Sequence, residues 1–123
     1  MQATDKDRLI AEKVMESEYF TDKIYTPRIR IVEMVRINGR VLLAVDWRPT
    51  TDISQAFGDG KSLDTVVGMM RKKKWFFTIN SHINRELEYI YEAMFYRITK
   101  KLTSASHEHP AAAIVDAALK AVE

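Results

Sequence analysis

The chain has 123 residues, 46% hydrophobic and 29% charged, with four glycines, three prolines and no cysteine. At about 100–200 residues per domain this is one domain, 1–123, and an apolar share near the globular average excludes wholesale disorder. Without cysteine there is no disulfide framework, thiolate metal site or cysteine nucleophile, and no apolar run nears the ~20 residues of a membrane helix. The first residues lack the apolar stretch of a secretory signal, so a soluble protein of a reducing cytoplasm is expected. The net charge of +2 hides a segregation. Residues 1–22 hold three bases and six acids, 23–101 fifteen and eight, and 102–123 one and three. A basic middle favours an anionic partner, unless the acidic ends neutralise it within the fold.

The first element reads as a helix. Thr4 and Asp7 resemble a capping box, and Leu9, Ile10, Val14 and Tyr19 make a narrow apolar stripe. Pro27 marks a boundary. Residues 28–37 then read as a strand, Asn38-Gly39 as a type I′ turn, and Val41 to Trp47 as the return strand. In that register Ile37 faces Arg40 and Arg30 faces Trp47. One face carries Ile29, Ile31, Val35, Ile37, Leu42 and Ala44; the other carries Val32, Met34, Val41, Leu43, Val45 and Trp47. Both are apolar, so a second subunit is expected over one of them, making a homo-oligomer.

Thr50-Thr51-Asp52 opens a short helix, and Gly58-Asp59-Gly60 interrupts it. Ser62 caps a second stretch in which Leu63, Val66, Val67 and Met70 recur at helical spacing, closed by Arg71 to Lys74. Residues 75–79 read as a strand, 80–88 as a polar loop, and 89–99 as a strand with Tyr91, Phe95 and Arg97 on one face. A polar loop over 100–108 leads to a final helix. Pro110 stands at its first position behind His109, and Ile114, Val115, Ala118, Leu119 and Val122 form its buried face. The expected fold is α+β: a layered α/β sandwich with an antiparallel-rich sheet, two β-hairpins and three to four helices.

Gly60-Lys61-Ser62 lacks the first glycine of a phosphate loop, since Gln55 stands there, and a helix rather than a strand precedes it. His107-Glu108-His109 has no third ligand nearby, and no serine sits in a nucleophile elbow. No catalytic residue, metal or cofactor is therefore expected. Arg71-Lys72-Lys73-Lys74 before Trp75, Phe76 and Phe77 reads as a solvated helix end beside core aromatics, the alternative being a single-stranded nucleic-acid contact. The candidate ligand contacts lie elsewhere. Arg30, Arg36 and Arg48 would meet phosphate or carboxylate as planar forks, Trp47 and Tyr91 would stack on a flat ring, and Arg97 is the leading candidate of the C-terminal half.

The fragments Leu9-Ile-Ala-Glu-Lys-Val-Met15, Thr51-Asp52-Ile53, Val66 through Ile79, Glu92-Ala-Met-Phe-Tyr96 and Pro110 through Val122 occur in an order that resembles the phage ABA sandwich domain. They cover about half of the chain. Two departures stand out: Lys74, where that family often has glycine before the tryptophan, and the long Arg-rich hairpin over 28–48. The resemblance implies a layered sandwich of phage or prophage origin and carries over no catalytic residue. With it, the expectation is a non-enzymatic, counter-defence binding protein of the bacterial host cytoplasm. It would sequester a small nucleotide-derived anion, as sponge proteins do. The alternatives are an inhibitor that binds a host protein, or a nucleic-acid-binding accessory protein.

Overall fold

The structure is a computed structural model and describes residues 2–25, 27–98 and 101–123. In chain order it contains α1 (Ala3–Lys13), β1 (Tyr19–Ile24), β2 (Arg30–Ile37), β3 (Arg40–Leu43), a 3-10 turn (Ala44–Asp46), α2 (Ile53–Ala56), α3 (Val66–Lys72), β4 (Phe76–Ile83), β5 (Tyr89–Tyr96), β6 (Leu102–His107) and α4 (Pro110–Val122). Two separate antiparallel sheets form, in the orders β1-β2-β3 and β4-β5-β6. With four helices this is an α+β, layered architecture.

The centre of the fold is α4. Ala111, Ala112, Ala113, Ala117, Ala118 and Ala121 are buried together with Ile114 and Val115, so the helix is enclosed on nearly every side. Small side chains let it lie against β5 and β6 while α1, α2 and α3 also pack on it. Polar bonds fix β6 to the helix. Thr103 Oγ1 donates to the Ala117 carbonyl at 3.0 Å, Lys101 Nζ to that of Ala121 at 2.9 Å, and Lys120 Nζ to that of Ser104 at 2.8 Å. Lys6 of α1 pairs with Asp116 at 2.8 Å.

The Asn38-Gly39 turn forms as expected, with φ of 48° and 81° and Ile37 opposite Arg40. Beyond it the expected register fails. β3 ends at Leu43 and the 3-10 turn takes the chain away, so Arg30 pairs with Ile24 of β1 rather than with Trp47. Residues 19–24, which had supplied Tyr19 to the helical stripe, form a strand because α1 stops at Lys13 and Glu16 reverses the chain at φ 55°. Residues 102–107 are a strand, not a loop. Their small and polar side chains suit a strand whose inner positions, Thr103 and Ala105, meet the alanines of α4.

Other boundaries move less. The strand read over 89–99 stops at Tyr96, and Thr99 lies outside the described residues, as does Lys100 of the expected 100–108 loop. Thr65, not Ser62, caps α3, its hydroxyl accepting from the Gly68 amide at 3.0 Å. Asp7 does not close a capping box on Thr4. It is buried, and its Oδ1 accepts from the Thr50 amide at 2.9 Å and the Thr50 hydroxyl at 2.6 Å. The Asp7 carbonyl accepts from the Trp47 indole at 3.0 Å. These three bonds latch the segment after β3 onto α1.

Candidate functional site

Of the six residues singled out from the sequence, only Trp47 and Arg48 border a common groove. Trp47 is only 2% exposed and its indole N–H is used within the fold, so it is a core side chain and cannot stack on a ligand. Tyr91 is half-buried on the inner face of its sheet, packed against the core. Arg30 stands exposed near the outer end of β2. Arg36 lies 5.7 Å from the Phe20 ring, in a shallow groove that also holds Glu16 and Glu18. Arg48 borders a groove of about 470 Å³ whose walls include Asp5, Asp7 and Glu33. Acids beside both of these arginines oppose an anionic ligand there.

Arg97 has a structural occupation. Its guanidinium lies 4.3 Å from the Trp75 ring centroid and donates through Nη2 to the Lys73 carbonyl at 2.9 Å. Its Nε is buried with no partner among the described residues. The arginine clamps the end of α3 onto the strand that follows.

Directly beside this clamp lies a cleft of about 410 Å³, between the end of α3, the start of β4 and the end of β5. Trp75, Phe76, Phe77, Tyr96 and Ile98 line it together with Arg71 and Lys74. Strand alternation builds the walls. Trp75 is buried, whereas Phe76 turns to the outer face opposite Tyr96, their rings stacked at 5.4 Å and 19°. Ile98 is 86% exposed at the rim. Among the described residues the lining holds two cations and no acid, unlike the grooves of Arg36 and Arg48. An aromatic floor with a few charged groups at the edge is the general form of a small-molecule site, and the volume falls within the usual range of about 300–1,000 Å³.

The sequence signal for this cleft was the run of bases ending at Lys74 followed by three aromatics. By its sequence alone this run reads as core beside a solvated helix end. That holds for Trp75 but not for Phe76, which a period of two sends to the opposite face. Tyr96 joins it only through the β4–β5 register.

Elsewhere, burial pushes the Tyr19 hydroxyl up to about 12, and burial likewise raises the Asp7 carboxyl despite its bonds to Thr50. Amide hydrogen bonds from Ser62 and Lys61 hold Asp59 below the ordinary carboxylate value. Among the described residues no three His, Cys, Asp or Glu side chains gather as metal ligands, and no helix is long and apolar enough to cross a membrane. Neither a protein-family model nor a curated protein matches this chain.

Proposed function

We propose that this is a non-enzymatic binding protein that takes up a small, flat, anionic molecule of the nucleotide type in the cleft of Arg71, Lys74, Phe76 and Tyr96. The observation that carries this reading is the pairing of an aromatic wall with two cations and, among the described residues, no acid. A ring can lie against Phe76 and Tyr96 while a phosphate meets the cations. The resemblance to the phage ABA sandwich domain extends the reading to a phage or prophage product that sequesters such a signal in the bacterial host cytoplasm. Calorimetric titration with nucleoside monophosphates and cyclic dinucleotides tests it. Saturable binding that survives moderate salt and is weakened by Tyr96→Ala is expected. Affinity only for DNA or RNA, falling steeply with salt, would move the protein to the nucleic-acid class. No uptake of either would favour a host protein as target.

The same reading includes self-association. The face of β1-β2-β3 turned away from the helices carries Phe20, Ile24, Val32, Met34, Val41 and Leu43, all half-buried or exposed. Arg36 and Asp22 lie on opposite sides of Met34 along that face. A copy laid antiparallel across it brings each Arg36 toward the other copy's Asp22, so the charges complement. Met34→Glu should lower the mass in solution while circular dichroism stays unchanged. A wild-type monomer at micromolar concentration would refute the association.

A further inference from the structure

The end of α3 is closed by a Schellman turn. The Trp75 amide donates to the Met70 carbonyl at 3.1 Å, the Lys74 amide donates to that of Arg71 at 2.9 Å, and Trp75 and Met70 are both buried. The motif forces residue 74 into the left-handed region, at φ 72°. Glycine is the favoured residue there, because a Cβ crowds the following carbonyl. This chain places a lysine at that point.

Among the described residues no side-chain hydrogen bond engages the Lys74 ammonium. Lys73 Nζ reaches Glu16 at 3.3 Å, and Arg71 Nη1 donates to the Gly60 carbonyl at 2.8 Å. Lys74 is exposed and forms no salt bridge with any described residue. It does line the aromatic cleft. A left-handed residue at the mouth of a cleft, carrying a charge that pairs with no described residue, points to the charge being used.

We infer that Lys74 is the anion anchor of the cleft: its ammonium holds the phosphate end of a ligand whose ring rests on Phe76 and Tyr96. This deepens the small-anion reading above and rests on it. Arg71 is the second donor, since a guanidinium with one N–H on Gly60 has others free. Lys74 thus trades stability for binding, and a single substitution can reverse the trade.

The probes are 1-naphthyl phosphate and its neutral counterpart 1-naphthol, titrated into wild type, Lys74→Gly, Lys74→Arg and Tyr96→Ala. Glycine suits the left-handed position, so Lys74→Gly folds, and its melting temperature should rise by about 2–6 °C. Its affinity for naphthyl phosphate should fall by about tenfold or more, as expected for a lost charge-assisted bond, with naphthol binding unchanged. Lys74→Arg should keep phosphate affinity close to wild type. If Lys74→Gly binds naphthyl phosphate like wild type while Tyr96→Ala does not, the anchor role is wrong and the cleft reading stands. If wild type takes up neither probe, or Tyr96→Ala changes nothing, the cleft reading falls and the anchor with it.

Discussion

The two three-stranded sheets are alike in order and size but are held in different ways. β4-β5-β6 lies along α4, its inner residues Ala93, Phe95 and Ala105 are buried, and lysine and threonine side chains join the backbones of β6 and the helix. β1-β2-β3 is covered only near the Asn38-Gly39 end, where Val35 and Ile37 are buried. Toward the other end Ile31, on the same face, is 72% exposed. Its polar attachments include Asn38 and Arg40 on Asp64 at 2.9 and 3.2 Å, an Arg8–Glu33 pair at 2.6 Å, Arg8 stacked 4.0 Å over Tyr19, and the Trp47–Asp7–Thr50 latch just beyond β3. One sheet is fixed by buried area along its length, the other by one buried end and a few polar bonds. Elements of the second kind are the ones expected to open first.

The largest expected difference comes from truncating a side chain in each sheet. Phe95→Ala removes a fully buried ring and should cost about 3–5 kcal/mol in chemical denaturation. Met34→Ala, on the half-exposed face, should cost about 1 kcal/mol in a monomer. A larger, concentration-dependent cost at Met34 would instead indicate that a second copy covers this face.

The latch gives a smaller effect with a pH signature. Asp7→Ala leaves the Thr50 amide and hydroxyl without their acceptor, at a cost of about 1–3 kcal/mol. Asp7→Asn keeps an acceptor and removes the buried charge. Because burial raises the folded carboxyl above its unfolded value of 3.8, the folded state takes up its proton first as pH falls. This group's penalty is then full above the folded value and vanishes below the unfolded one. Asp7→Asn should therefore be at least as stable as wild type at neutral pH, and its advantage should shrink as the pH drops toward 3.8. An advantage that does not change with pH would contradict the buried charge.

Arg97→Ala should cost about 1–2 kcal/mol, from the lost stack on Trp75 and the bond to Lys73. With Arg97 behind the cleft wall, affinity for an aromatic phosphate should change less than in Lys74→Gly. The reverse order would make Arg97 the direct contact.

What the sequence made legible follows from where each signal is local. Asn38-Gly39 and Pro110 each act through their own backbone, and the hairpin and the final helix begin where those residues say. β1 and β6 are held by their neighbours. Tyr19–Ile24 has too short an alternation to outweigh a nearby helical stripe, and Leu102–His107 is polar because alanines of α4, not large side chains, cover it. The cleft is hidden from the sequence for the same reason. Pairing Arg30 with Trp47 assumed that the hairpin ran on past Leu43. The 3-10 turn moves Trp47 into the core, and with it goes the aromatic floor expected beneath the hairpin arginines. The cleft needed Phe76 beside Tyr96, a contact across 20 residues of chain that only the β4–β5 register supplies.

The chain has two tryptophans, and the fold puts one on each side of this contrast. Trp47 sits in the latch with its N–H on Asp7, while Trp75 sits under the Arg97 guanidinium beside the cleft. The protein thus carries its own pair of optical probes. With Trp75 replaced by Phe, the emission of Trp47 follows release of the latch alone. With Trp47 replaced, Trp75 follows the α3–β4 junction and any aromatic molecule entering beside it. Red shifts at different denaturant concentrations would resolve the two halves as separate steps, whereas coincident shifts would mean that the few polar bonds of the latch suffice to make the whole domain melt as one.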